Sequence, residues 1–86
     1  MKLRNDFLIY TTDEKTLLVP SGGTAFSGVV RGNKTFGAIL ELLKMETSPG
    51  EIVNAMTARF DVPEDTVRQD VEKVLSELRN IGALDE

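Results

Sequence analysis

A chain of 86 residues, 41% hydrophobic and 28% charged, can bury one core and not two, and its composition is neither that of a disordered segment nor of a disulfide scaffold. Fourteen Asp and Glu against ten Lys and Arg leave a net charge of −4, and the chain has no cysteine and no histidine. Those two absences remove disulfides, thiolate nucleophiles, iron–sulfur ligation and the residue most used as general base and zinc ligand, so a binding role is expected rather than catalysis.

No apolar run approaches the 18 residues of a membrane span, and residues 1–6 lack the apolar stretch of a signal peptide. The chain therefore reads as cytoplasmic, with no membrane partner. Charge divides it near residue 32: residues 1–32 hold four basic against three acidic side chains (+1), and residues 33–86 hold six against eleven (−5).

The first part reads as three strands. Phe7-Leu8-Ile9-Tyr10-Thr11-Thr12 is aromatic and β-branched and stops at Asp13-Glu14-Lys15, a polar turn of hairpin length. Thr16-Leu17-Leu18-Val19 follows and ends at Pro20, which cannot donate to a ladder. After the loop signal Ser21-Gly22-Gly23, residues 25–30 form the third predicted strand, with Phe26 and Val30 on the face opposite Ser27 and Val29. Gly28 inside it marks either a bulge, the simpler reading, or a close approach of another backbone.

The second part reads as three helices. Asn33 is an N-cap, followed by Phe36, Ile39, Leu40 and Leu43 on one face. Ser48-Pro49-Gly50-Glu51 is a capping box with proline at the first helical position, and Ile52, Val53, Met56 and Phe60 form the stripe behind it. Asp61-Val62-Pro63 interrupts the pattern. The last helix runs from about Glu64 to Ile81 on the stripe Val67, Val71, Val74, Leu75, Leu78 and Ile81, with Gly82 as its stop. One domain over residues 1–86 is expected, of class α+β: a small three-stranded antiparallel sheet (1–32) followed by three helices (33–86), winged-helix-like.

That outline raises DNA binding as an alternative, which the charges oppose. Residues 64–81 carry three basic and five acidic side chains, so duplex phosphates repel the would-be recognition helix. Asp61, Glu64 and Asp65 lack the spacing of a calcium loop and suit a helix N-terminus, so no metal site and no cofactor are expected. The third strand has no proline and only Arg31 as a charge, so its edge is poorly guarded. Beside the long helix, such an edge would form a groove for an extended peptide.

Ordered motifs across the chain resemble the PqqD-like family, whose peptide-binding domain is also called the RiPP recognition element. The resemblance lies in residues 32–43 (Gly-Asn-Lys-Thr-Phe-Gly-Ala-Ile-Leu-Glu-Leu-Leu), in Ser48-Pro49-Gly50-Glu51-Ile52-Val53, in Phe60-Asp61-Val62, in residues 70–78 (Asp-Val-Glu-Lys-Val-Leu-Ser-Glu-Leu) and in Gly82-Ala83-Leu84. Leu17-Leu18-Val19-Pro20 resembles the family's second strand, while Gly32 and Ile39 stand where the family carries leucine and tryptophan. The resemblance implies a non-catalytic chaperone that binds the leader segment of a ribosomally made precursor peptide. It also implies that the leader adds beside the third strand and against the third helix, for presentation to a modifying enzyme such as a radical SAM enzyme. The expected peptide-binding residues are Phe26, Ser27, Val29, Val30 and Arg31 on the strand and Arg68, Leu75 and Arg79 on the helix. A second reading makes Arg68 and Arg79 solvated partners of nearby glutamates.

Overall fold

The computed structural model describes residues 1–13, 15–21 and 28–86. Strands β1 (Lys2–Leu3), β2 (Phe7–Thr11), β3 (Thr16–Pro20) and β4 (Val30–Gly32) precede helices α1 (Lys34–Leu42), α2 (Pro49–Arg59) and α3 (Glu64–Asn80), and β5 (Leu84–Asp85) ends the chain. β2, β3 and β4 form the expected antiparallel three-stranded sheet in that spatial order. β1 and β5 add a two-stranded antiparallel ribbon that the sequence reading did not contain, pairing Leu3 with Leu84. Two-residue strands have no period to read; this ribbon is held by its surroundings, including hydrogen bonds from Leu3 N–H to the Leu43 carbonyl and from Arg4 N–H to the Ala83 carbonyl, each 2.8 Å.

The helix ends follow their caps. Asn33 Oδ1 accepts from Phe36 N–H at 3.0 Å and Ser48 Oγ from Glu51 N–H at 3.2 Å. The second half of the capping box differs: the Glu51 carboxylate accepts from the Thr47 hydroxyl at 3.3 Å instead of reaching the Ser48 amide. Gly82, at φ +72°, closes α3 with Gly82 N–H on the Arg79 carbonyl and Ala83 N–H on the Leu78 carbonyl, the paired bonds of a left-handed helix stop.

The third strand differs most from its prediction. Residues 25–27 lie outside the described residues, Gly28 and Val29 are not in a strand, and β4 begins only at Val30 and runs on to Gly32. Extending the register would set Gly28 opposite Pro20, which has no N–H to give, and Gly28 itself sits at φ +129°, so the ladder stops there.

One core unites the two parts. Phe7 and Leu18 from the sheet, Phe36, Ile39, Leu40 and Leu43 from α1 and its end, Ile52, Val53 and Met56 from α2, and Val67, Val71, Val74, Leu75 and Leu78 from α3 are all buried in it. α1 reaches the sheet because Gly37 faces Thr16: a Cβ at residue 37 would stand 2.3 Å from Thr16 Oγ1. The helix accepts a glycine, at about 1 kcal/mol of propensity relative to alanine, in return for that approach.

Candidate functional site

The direction of each backbone group in the sheet can be traced from its ends. Ser21 N–H donates to the Asp6 carbonyl at 2.7 Å and Thr12 N–H to the Lys15 carbonyl at 2.8 Å. In an antiparallel ladder hydrogen-bonded pairs alternate with unbonded ones, so with the register Leu8↔Val19 and Tyr10↔Leu17 the groups of residues 17 and 19 point to β2. Those of Thr16 and Leu18 therefore point the other way and bond Gly32 and Val30. Arg31, between them, turns its N–H and carbonyl away from β3. Among the described residues no strand lies beyond β4, so Arg31 offers a free donor and acceptor at an open sheet edge.

Next to that edge stands α3, separated from it by a cleft of about 280 Å³. Arg31, Gly32, Asn33, Thr35 and Phe36 form one wall, and Asp70, Lys73, Val74 and Glu77 form the other. Phe36 and Val74, both almost fully buried, supply a small apolar floor in a cleft whose lining is otherwise mostly polar. Gly32 helps to keep the cleft open, because a Cβ there would lie 2.2 Å from the Phe36 ring. An unpaired strand edge facing an apolar floor suits an extended peptide: its backbone completes the ladder and alternate side chains enter the cleft.

The expected site residues scatter around this geometry. Phe26 and Ser27 lie outside the described residues. Val29 is 48% exposed just before β4, Val30 packs inward against the core, and Arg31 is exposed at the rim. Leu75 is only 2% exposed and belongs to the core, so its side chain is not offered to a ligand as the sequence reading has it. Arg68 and Arg79 do not line the cleft. Arg68 pairs with Glu64 at 3.3 Å, and Arg79 forms a forked pair with Glu86, its Nη2 2.9 Å from Oε1. The Arg79 guanidinium holds the Glu86 carboxyl below the ordinary carboxylate range.

The physical reason for this placement is rotational. At 3.6 residues per turn, Asp70, Lys73, Val74 and Glu77 share one flank of the buried stripe of α3, whereas Arg68 and Arg79 fall on the other. The sheet edge meets the first flank. The expected contact set lacks Gly32, Asn33, Thr35, Phe36, Asp70, Lys73, Val74 and Glu77, although spacings of three and four among the last four already mark those as neighbours on one side of α3.

Comparison with protein families matches residues 14–84 to the family described as coenzyme PQQ synthesis protein D (PqqD). Among solved structures, the chain is similar to TbiB1 in complex with the TbiA(beta) leader peptide, with a TM-score of 0.79 and 25% identity over 99% of this chain and 95% of that one. It is also similar in fold to a lasso peptide synthetase B1 complexed with the leader peptide, with a TM-score of 0.73 and 20% identity over 95% of this chain and 93% of that one. No curated protein sequence matches. No helix among the described residues is long and apolar enough to cross a membrane.

Proposed function

Since the chain belongs to the PqqD family, we propose that it is a non-catalytic peptide chaperone that binds the leader segment of a ribosomally made precursor. The leader adds as a strand to β4, with Arg31 providing the outward N–H and carbonyl, and lies over the cleft between β4 and α3. The observation that carries this reading is that open edge facing an apolar-floored cleft of about 280 Å³. The two similar solved structures, each a complex with a leader peptide, support it. Held in this way, the leader positions its precursor for a modifying enzyme such as a radical SAM enzyme, in the cytoplasm where precursors are translated.

The chain's own part is binding. Without cysteine or histidine it supplies neither a thiolate nor an imidazole, and the side chains around the cleft offer two carboxylates, one amine, one guanidinium, one carboxamide and one hydroxyl beside the backbone groups. Strand addition orders a flexible segment at about 1–2 kcal/mol per residue, offset by ladder hydrogen bonds and apolar burial. Of the contact residues expected from the sequence, Val29, Val30 and Arg31 belong to the proposed contact region, together with Gly32, Phe36, Lys73 and Val74.

Titration of the isotope-labelled protein with the leader segments of small precursors encoded beside its gene tests the reading. Amide shifts are expected at residues 29–33 and 70–77. Shifts confined to α2, or retardation of duplex DNA with no response to any peptide, would overturn it in favour of another surface or of the winged-helix alternative.

A further inference from the structure

Resting on that reading of the cleft, we propose that Arg31 makes the protein select leaders by a charge alternation: a carboxylate side chain opposite Arg31, and no carboxylate at the residues on either side of it. The sheet register carries the inference. Leu18 and Val30 face the core, so Leu17 and Arg31 face the opposite, outer surface, in one cross-strand row with Tyr10. That surface is open to solvent, with Tyr10 53% exposed.

Because the outward groups of β4 belong to Arg31, an antiparallel leader strand must form its hydrogen-bonded pair at Arg31. The leader residue in that pair extends the row Tyr10–Leu17–Arg31, and its side chain lies beside the guanidinium on the outer surface. None of the ion pairs among the described residues involves Arg31, so its charge stands unmatched at the edge. Directly opposed unlike charges stabilise a strand pair and like charges destabilise it.

One residue further along the leader, in either direction, the side chain turns to the inner surface. There it meets the α3 wall, where Asp70 and Glu77 flank Lys73 and give a net charge of −1 over the apolar floor. A carboxylate favoured at the first position is therefore disfavoured at its neighbours. A uniformly acidic leader fits poorly, and so does a slip by one residue, which would turn each favourable charge into an unfavourable one.

The test pans a phage-displayed library of random 12-residue peptides against three immobilised 86-residue proteins: wild type, Arg31→Glu and Glu77→Lys. Both changed side chains are exposed in the wild type, and circular dichroism is used to check that each variant is folded. On wild type, the enriched motif should carry Asp or Glu at one position about three- to tenfold over Lys or Arg, and should be depleted of acids at the two adjacent positions. Arg31→Glu should invert the preference at the central position alone, while Glu77→Lys should relieve the depletion beside it. A motif whose charge preference is the same on wild type and Arg31→Glu overturns the inference and leaves leader binding standing. No enriched motif on wild type overturns both.

Discussion

The direction of the β4 backbone predicts opposite outcomes for proline at two adjacent residues. At Val30, proline removes the N–H that bonds the Leu18 carbonyl and leaves that carbonyl unpaired at a residue with no exposed surface. Losing one partner of a buried hydrogen bond costs about 1–3 kcal/mol. For a domain of this size each kcal/mol lowers Tm by about 4–8 °C, so Val30→Pro should melt at least about 4 °C below wild type. At Arg31 the N–H faces the open edge and bonds nothing in the free protein, so proline there should change stability by less than about 0.5 kcal/mol. Pro20 already occupies the equivalent kind of position on β3, with the missing donor directed away from β2.

Thermal melting of Val30→Pro, Arg31→Pro and the side-chain controls Val30→Ala and Arg31→Ala measures the difference. The controls matter because Val30 also packs against the core and loses that contact when replaced. Amide hydrogen exchange gives a second readout without mutation: Val30 and Gly32 N–H should be protected and Arg31 N–H should exchange fast. If Arg31→Pro proves the more destabilised of the two, or if the Arg31 amide is the protected one, the assigned direction is inverted and Arg31 cannot receive the leader backbone.

Two further outcomes follow from the core and the charges. Leu75→Ala should lower stability by about 2–5 kcal/mol by calorimetry or denaturant melting, because a core leucine leaves a cavity; a variant of unchanged stability would put Leu75 back on the surface. In a carboxyl NMR titration Glu86 should titrate below its ordinary value of 4.5, and return toward it in Arg79→Ala. Its pKa is depressed in the folded state, so the pair's contribution to stability is present above that ordinary value and is lost as pH falls through the lowered one; equal midpoints in both proteins would sink the assignment.

The helices and two of the three sheet strands were legible because strong local chemistry agrees with the tertiary fold there. Asn33, Ser48 and Gly82 act as the caps and stop that their residue types imply, and the stripe of α3 is the buried face. β4 was misplaced because Val29 and Val30 look like strand interior, while what terminates the ladder is Pro20, ten residues away in sequence and adjacent only once β3 and β4 pair. The site was half legible for a related reason. A helix stripe has two flanks, and Arg68 and Arg79 drew the reading toward the cationic one. Which flank meets the sheet edge depends on how α1 carries the chain from β4 to the helical half, and no periodicity within α3 records that.

The position where the chain departs from its family ties the cleft to the fold and permits one more test. Gly32 stands where the family carries leucine, and a Cβ there would lie 2.2–2.5 Å from three atoms of Phe36. The Phe36 ring thus occupies the space a residue-32 side chain would need, while also flooring the cleft and packing in the core. Neither substitution is independent of the other. Gly32→Ala should overpack the junction and cost about 1–3 kcal/mol, since a ring buried to 5% exposure has little freedom to retreat. Phe36→Ala alone should also destabilise, by about 3–5 kcal/mol, by leaving the volume of the missing ring unfilled. Combined, the added methyl no longer meets Cγ and Cδ2 of residue 36, so the double variant should lose less than the two single losses added together, with a coupling of about 0.5–3 kcal/mol. A denaturant-melting cycle of the four proteins measures this. Strict additivity would show that residue 32 does not compete with the ring for space, and the departure at Gly32 would then have no bearing on the cleft floor.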